Sequence, residues 1–213
     1  MHDFAFHAPT TLDEALSLLS QHGDDAKIMA GGTSLTTLLK QSLIAPDHII
    51  SLHRIQGLDG IEASDGILNI GGAVTQRQME TSEVVKGHAP LLTEAYRRVA
   101  TVRIRNVATV GGGIAQADPA MDPPPSLLIL GASVTATSPR GTRTIPIGEV
   151  YADYYETTLE PDEIVTQIQV PQQPPGAAWT YIKSLPRTAD DYATVSVAAI
   201  GQLTEGKITD VRL

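Results

Sequence analysis

The first fifty residues alternate between short apolar runs and one clear amphipathic segment. Apolar residues recur at helical spacing over residues 12–19, directly after Thr11 and Glu14, which have the spacing of a capping box. The apolar runs at 26–30 and 48–52 are short enough to be buried strands. A further short strand before the helix and a second helix between the two runs complete a predicted β-α-β-α-β lobe.

A second lobe is predicted to begin near residue 56, where the pattern changes to alternation with a period of two. This alternation flanks Asp65-Gly66 and is typical of a β-hairpin. Further elements follow along the chain: helices at 75–85 and 90–99, a lead-in at 101–108, a proline-capped segment at 126–130, a hairpin around 138–141 and a strand at 164–170. The pattern therefore predicts an α+β fold of two lobes, about 1–55 and 56–172.

Residues 171–176 are rich in proline and end in glycine, which is typical of a linker. The remaining residues predict only strands, at 178–185, 193–203 and 208–213. So few strands bury little of one sheet face. We therefore expect 177–213 to be the N-terminal part of a smaller α+β domain that is truncated at residue 213.

Composition limits the functional classes. The chain has 213 residues, a formal net charge of −9 and no cysteine. The acidic balance argues against a nucleic-acid surface, and the absence of cysteine excludes disulfides, a thiolate nucleophile and a cysteine-ligated iron-sulfur cluster on this chain. No apolar run predicts a transmembrane helix and no signal peptide is apparent, so a cytoplasmic location is expected, with export only alongside a partner. The six histidines show no metal-ligand spacing, and no metal site is predicted.

Two glycine segments carry the candidate chemistry. Residues 30–35, Ala-Gly-Gly-Thr-Ser-Leu, lie between a predicted strand and a predicted helix, an arrangement that leaves backbone amides free to bind an anion. Gly111 to Gly113 are followed by Asp118 and Asp122, and three glycines allow positive φ and close approach of another group. Neither segment has Rossmann or Walker spacing. Together they predict a nucleotide site, although the first could be a structural turn and Asp122 could be a helix cap.

Two other features have a functional and a structural interpretation. The arginines at 97, 98, 103 and 105 form the one basic cluster, and we interpret them as solvated or subunit-facing charges, with anion binding beside the glycine segment as the alternative. Gly71-Gly72-Ala73 has no hydroxyl or acid after it, so a tight bend or bulge is favoured over a third glycine site.

Specific motifs resemble one known family. These are Ala-Gly-Gly-Thr-Ser-Leu at 30–35, Arg-Asn-Val-Ala-Thr-Val-Gly-Gly-Gly-Ile-Ala-x-Ala-Asp-Pro-x-x-Asp at 105–122, Asp-Glu-Ile-Val at 162–165, Tyr-Ile-Lys at 181–183 and Asp-Asp-Tyr-Ala at 190–193. In this order they resemble the FAD-binding, or medium, subunits of molybdenum hydroxylases such as carbon monoxide, xanthine and aldehyde dehydrogenases. The resemblance covers nearly the whole chain. It implies a two-lobed FAD-binding domain of the vanillyl-alcohol-oxidase type (PCMH type) at 1–172, followed by the start of a C-terminal flavin-subunit domain.

The resemblance also implies the binding site. The two glycine segments would hold the FAD diphosphate, Asp122 would accept from a ribose hydroxyl, Val165 would lie near the adenine, and Lys183 and Tyr192 would lie by the isoalloxazine. The complete implied set is Ala30, Gly31, Gly32, Thr33, Ser34, Leu35, Thr109, Gly111, Gly112, Gly113, Asp118, Asp122, Val165, Lys183 and Tyr192. No catalytic residue is implied. The chain departs from the family pattern at Gly113, where the family usually has Asn.

By the same resemblance, the chain is an electron-transfer subunit of a heterotrimeric dehydrogenase, with the heterotrimers paired. A large subunit with a molybdopterin cofactor would oxidise the substrate, and a small subunit with [2Fe-2S] clusters would pass the electrons to FAD. The acceptor would be NAD, oxygen, a quinone or a ferredoxin. Two alternatives stay open at this point: a stand-alone FAD oxidoreductase of the same fold, and a flavin-free assembly subunit.

Overall fold

The computed structural model describes residues 2–213 and contains mixed α and β structure. The strands are β1 Ala5–His7, β2 Ala26–Met29, β3 His48–Ser51, β4 Ile61–Ser64, β5 Ile67–Gly71, β6 Ser133–Ser138, β7 Gly141–Pro146, β8 Tyr151–Asp153, β9 Glu156–Thr157, β10 Ile164–Pro171, β11 Ala178–Ser184, β12 Val195–Thr204 and β13 Lys207–Arg212. The helices are α1 Leu12–His22, α2 Thr33–Lys40, α3 Gln76–Thr81, α4 Glu83–His88, α5 Pro90–Arg97, α6 Val102–Arg105, α7 Val110–Gln116, α8 Pro123–Ile129 and α9 Ile147–Val150. The predicted α+β class is confirmed.

The first lobe is a parallel three-stranded sheet in the order β1-β3-β2, with α1 and α2 as its connections. The Thr11 side chain accepts from the Glu14 amide, and the Glu14 side chain accepts from the Thr11 amide, so the predicted capping box is present. Gly23 ends α1 with φ +52°. The predicted order of elements in this lobe is thus confirmed, and α2 begins directly after the first glycine turn.

The second lobe is built on an antiparallel five-stranded sheet in the order β4-β5-β10-β6-β7. Both predicted hairpins are present, with Asp65 and Gly66 at positive φ in the first turn. Alternate residues of β5 and β6 are buried, as the period-two pattern predicts. Helices α3, α4, α5, α7 and α8 contribute their apolar residues to the same core.

Gly71 and Gly72 lie where backbone segments approach closely. A Cβ on Gly71 would be 2.1 Å from the Leu58 carbonyl oxygen, and one on Gly72 would be 2.1 Å from the Val165 carbonyl oxygen. Because no side chain fits at such distances, both positions require glycine. This agrees with the prediction of a structural role for these residues rather than a third glycine site.

Two predicted elements differ from the structure. The helix predicted over 75–85 is two helices, α3 and α4, because the chain at Ser82 is extended and the Ser82 hydroxyl caps the second helix by accepting from the Val85 amide. The glycine run 111–113 does not form a loop with positive φ but lies within helix α7. Positive φ occurs instead in the first glycine segment, at Gly32, with φ +71°.

The three strands predicted at the C-terminal end are present, and they form an antiparallel sheet in the order β11-β12-β13. Its Tyr181, Ala198 and Ile200 belong to the same buried cluster as the second lobe. The preceding segment is anchored as well, since buried Gln173 accepts from the Leu91 amide. Across residues 2–213, no helix has both the length and the apolar character needed to cross a bilayer.

Candidate functional site

The first glycine segment presents a group of free backbone amides. The N–H groups of residues 31–35 have no hydrogen-bond partner within residues 2–213, because they form the turn and the first residues of α2. Gly31 packs directly against the backbone at Val107, since a Cβ on Gly31 would lie 2.0 Å from the Val107 carbonyl oxygen. Free amides at a helix N-terminus attract anions. The segment therefore has the donors that a phosphate group requires.

The second glycine segment contributes in a different way. Its amides are hydrogen-bonded inside the protein: Gly111 N donates to the Gly72 carbonyl, Gly112 N to the Thr109 hydroxyl and Gly113 N to the Thr109 carbonyl. They are therefore not the bare amides that the sequence indicated. Gly112 instead gives space, because a Cβ on it would lie 3.4 Å from the Ala30 Cβ and 2.8 Å from the Thr109 hydroxyl oxygen. The absence of side chains lets the two segments approach each other.

A buried ion pair lies in the wall of the cavity that residues of the two glycine segments line. The Lys183 ammonium group lies 2.8 Å from Asp122 Oδ2, and the two side chains are only 1% and 4% exposed. Lys183 also donates to the Arg98 carbonyl, and the Tyr181 hydroxyl donates to Asp122 Oδ1 at 2.9 Å. Asp122 precedes α8 but its side chain makes no capping hydrogen bond, so the alternative of a helix cap is wrong. Strand β11 is thereby joined to the start of α8.

Burial sets the electrostatics of these groups. It raises the pKa of the Asp122 carboxyl above its ordinary value, and the hydrogen bonds from Lys183 and Tyr181 offset part of that rise. Tyr192 is 64% exposed, but the partial loss of solvent around its hydroxyl and the nearby Asp118 carboxylate raise its pKa to about 12. Both tyrosines at the site, Tyr181 and Tyr192, are therefore neutral phenols at physiological pH. The positive charge of Lys183 is balanced by Asp122.

The cavity gathers most of the residues predicted from the sequence. It is lined by Ala30, Gly31, Gly32, Thr33, Ser34, Leu35, Thr109, Gly112, Gly113, Asp118, Asp122, Lys183 and Tyr192. These positions come from both lobes and from the C-terminal sheet. Their roles toward FAD stay predictions.

Two predicted residues do not line the cavity. Gly111 is buried against Gly72, and a Cβ there would lie 2.7 Å from the Gly72 carbonyl oxygen, so it is a packing glycine. Val165 is buried in β10, where its carbonyl approaches Gly72. Both residues join backbone segments of the second lobe, and their predicted roles toward FAD stay predictions.

Two residues near the cavity were missed. Gln76, the first residue of α3, lines the cavity beside Gly113 and is 8% exposed. Tyr181 belongs to the Tyr-Ile-Lys motif at 181–183, but its contact with Asp122 spans 59 residues and no local pattern indicates it.

Arginines of the basic cluster bind glutamates and backbone carbonyls of the chain. Buried Arg105 pairs with Glu80 and donates to the carbonyls of Val99 and Ala100, while Arg98 pairs with Glu94. None of the cluster's four arginines lines the cavity in the described part of the chain. Solvated or subunit-facing charges therefore fit the exposed Arg97, Arg98 and Arg103, whereas buried Arg105 has a structural role that was not predicted, and anion binding is not favoured.

The site satisfies the requirements of a dinucleotide such as FAD. Five free amides from residues 31–35 can bind a diphosphate, and Gly112 leaves an open approach to them. The Asp122 carboxylate and the Tyr192 phenol are polar groups that can bind the sugar and ring portions. A Cβ at Gly113 would have only ordinary contacts, the nearest at 3.7 Å, so a side chain fits at this position too.

Comparison with known proteins defines the family. The model of the FAD binding domain in molybdopterin dehydrogenase matches residues 2–173. The medium chain of carbon monoxide dehydrogenase from Hydrogenophaga pseudoflava is 34% identical over 210 residues, which cover 99% of this chain and 73% of the relative. The xanthine dehydrogenase FAD-binding subunit of Escherichia coli O157:H7 is 36% identical over 218 residues, covering 100% of this chain and 74% of the relative.

A solved structure gives the same result. The chain aligns with carbon monoxide dehydrogenase from Hydrogenophaga pseudoflava lacking the Mo-pyranopterin moiety of its cofactor, with a TM-score of 0.95 and 35% identity over 99% of this chain and 73% of that one. The chain therefore belongs to the family of FAD-binding subunits of molybdenum-containing dehydrogenases, and it is an oxidoreductase subunit. The family membership that the motifs indicated is confirmed.

Proposed function

We propose that this chain binds one FAD without a covalent bond, receives electrons from [2Fe-2S] clusters of a small partner subunit and passes them to an external acceptor. The observation that carries the proposal is the meeting of three separate parts of the chain at one cavity. These parts are the free amides of residues 31–35, Gly112 and Gly113 in the first turns of helix α7, and the Asp122–Lys183 pair.

Each group of cavity residues is proposed to bind a different part of FAD. The amides of residues 31–35 bind the diphosphate, and the glycine at 112 keeps the approach to them open. Asp122 accepts a hydrogen bond from a sugar hydroxyl while Lys183 balances its charge. Tyr192 offers an aromatic ring and a neutral phenol from the loop that precedes β12.

The flavin itself, when bound, supplies the ability to accept and release electrons. The chain's contribution is to bind and orient it, and no residue is proposed to activate an organic substrate. Substrate oxidation is accordingly assigned to a large partner subunit with a molybdopterin cofactor. We also propose a domain division in which residues 1–172 form the FAD-binding domain and 177–213 form the start of a smaller C-terminal domain.

Titration of the purified chain with FAD tests the binding step. We expect one FAD per chain, detected as quenching of flavin fluorescence, and release of unmodified FAD on denaturation. FMN, which lacks the diphosphate and adenosine, should bind at least about tenfold more weakly, equivalent to a loss of about 1.4 kcal/mol. Equal affinity for FMN and FAD would contradict the diphosphate site, and a folded chain that binds neither would favour a flavin-free assembly subunit.

The electron-transfer step requires the natural partners. The complex purified from its source should contain iron, acid-labile sulfide and molybdenum, and its flavin absorbance should bleach when substrate is added in the absence of acceptor. Addition of the acceptor should restore the absorbance. A complex whose flavin stays oxidised while substrate is consumed would contradict the proposed path.

A further inference from the structure

Three histidines from separate elements meet on the first lobe. His7 is the last residue of β1, His22 is the last residue of α1, and His48 is the first residue of β3. One ring nitrogen from each lies within 4.8 Å of the others. The cluster is distinct from the FAD cavity, since none of the three lines it.

The rings are in direct contact. His7 Nε2 lies 3.0 Å from His48 Nδ1, and the rings of His22 and His48 stack with centroids 3.6 Å apart. All three side chains are partly buried, so none is surrounded by water on every side. Each ring offers a nitrogen on the same small volume, and imidazole nitrogen is a common ligand of transition metals in proteins.

The nitrogen positions are close to those of a metal site. Imidazole nitrogens bind Zn²⁺ at about 2.0–2.1 Å, which places two nitrogens of a tetrahedral site about 3.4 Å apart. His7 Nε2 and His48 Nδ1 are hydrogen-bonded at 3.0 Å, a few tenths of an ångström below that value, and a bound ion would replace the proton between them. Side-chain rotation of His22, at the end of its helix, would bring the third nitrogen to the same ion.

We propose that His7, His22 and His48 form a binding site for a divalent transition metal of the zinc class, with water as the fourth ligand. Imidazole is the ligand that suits Zn²⁺, Ni²⁺ and Cu²⁺, whereas Mg²⁺ and Ca²⁺ prefer oxygen. The ion would join β1, which pairs only with β3 at the edge of its sheet, to α1 and β3. Its role is to fix the N-terminal strand on the first lobe, independently of FAD.

The three residues lie far apart in sequence, at the end of β1, the end of α1 and the start of β3. Only the fold brings them together. The sequence therefore shows no metal-ligand spacing at these positions.

Titration calorimetry of the untagged chain with Zn²⁺ tests the proposal. We expect one Zn²⁺ per chain with a dissociation constant in the micromolar range or below. His7→Ala and His22→Ala each remove one ligand and should weaken binding by about 100-fold or more, because changes to outer partners alone weaken metal sites by about 10- to 100-fold. His53→Ala is the matched control, because His53 is exposed and outside the cluster, and it should bind as the unaltered chain does.

Zn²⁺ should also raise the melting temperature of the unaltered chain and of His53→Ala, but not that of His7→Ala. Circular dichroism of the zinc-free variants checks that they are folded. Absence of binding by the folded unaltered chain overturns the proposal. Binding that is only millimolar, or that persists unchanged in His7→Ala and His22→Ala, overturns it as well.

Discussion

Lys183 and Asp122 form a buried ion pair, with 2.8 Å between the Lys183 ammonium nitrogen and Asp122 Oδ2, although 61 residues separate them in sequence. Asp122 stands at the start of α8 in the second lobe, whereas Lys183 belongs to strand β11 of the C-terminal sheet. Both line the cavity proposed to hold FAD. The C-terminal sheet thus contributes Lys183 to the cavity wall. Without Lys183, the buried Asp122 carboxylate would have no countercharge.

Replacement of Lys183 by Met should lower the free energy of unfolding by about 3–5 kcal/mol, because it leaves the Asp122 carboxylate buried without its countercharge. Chemical denaturation measures the loss. Lys207→Met, on the exposed first residue of β13, is the control and should change stability by less than about 0.5 kcal/mol. The double variant Lys183→Met with Asp122→Leu should recover much of the loss. A Lys183→Met chain as stable as the control would show that the pair does not form.

Replacement of Gly31 by Ala should prevent normal folding of the first glycine turn. Its Cβ would meet the Val107 carbonyl oxygen at 2.0 Å, and backbone atoms cannot move aside as a side chain can. We expect a drop in melting temperature of several degrees, equivalent to a loss of about 1–3 kcal/mol. Gly60→Ala is the matched control, since its Cβ would meet nothing within 4 Å. Equal melting temperatures for the two variants would contradict the close approach of these segments.

Gly112 and Gly113 are adjacent but should respond differently to alanine. A Cβ on Gly112 would lie 2.8 Å from the Thr109 hydroxyl oxygen and 3.4 Å from the Ala30 Cβ, where it narrows the approach to the free amides. Gly112→Ala should therefore weaken FAD binding by about tenfold or more, a loss of about 1.4 kcal/mol.

In Gly113→Ala the Cβ has only ordinary contacts, so FAD binding should persist. The helix should gain up to about 1 kcal/mol because alanine has the higher helix propensity. Fluorescence titration with FAD compares the two variants. A reversed order, with Gly113→Ala the weaker binder, would mean that the diphosphate does not approach beside Gly112.

The ion pair between Arg143 and Glu163 should make stability depend on pH. The hydrogen bond from Arg143 lowers the pKa of the Glu163 carboxyl below its unfolded value of 4.5. The unfolded chain therefore binds the proton more readily, so the stabilisation is fully present above about pH 4.5 and is lost as the pH falls through the lowered pKa of the folded state.

Glu163→Gln removes the contribution of Glu163 to the pH dependence of stability. It should lower the free energy of unfolding more at pH 7 than at pH 3. Denaturation curves at both pH values measure the difference. Glu62→Gln is a suitable comparison, because Glu62 is exposed on β4 and makes no salt bridge in the described residues. If the cost of Glu163→Gln is the same at pH 3 and pH 7, the folded pKa of Glu163 is not lowered.

The sequence predicts elements well where a local pattern determines them. The capping box at Thr11 and the Asp65-Gly66 turn each require only a few neighbouring residues, and both form as predicted. The alternation that places Leu68 and Ile70 in the core is local as well. In such segments, propensity and burial favour the same structure.

Prediction from sequence failed where contacts distant in sequence decide. Three glycines have low helix propensity, yet residues 111–113 are helical because Thr109 caps the helix and Gly111 packs against Gly72. Val165 has no local pattern that distinguishes it from any other buried strand residue, so the approach of its carbonyl to Gly72 could not be predicted from its neighbours. The pairing of Lys183 with Asp122 likewise depends on how β11 reaches α8.

The central claim is that the free amides of residues 31–35 bind one diphosphate, which lies beside Gly112 of helix α7. A crystal or electron microscopy structure of the FAD-bound chain tests it most directly. We predict phosphate oxygens within hydrogen-bond distance of the amides of residues 31–35, with the diphosphate beside Gly112 and a ribose hydroxyl at Asp122. A diphosphate bound away from the amides of residues 31–35, or FAD outside this cavity, would contradict it.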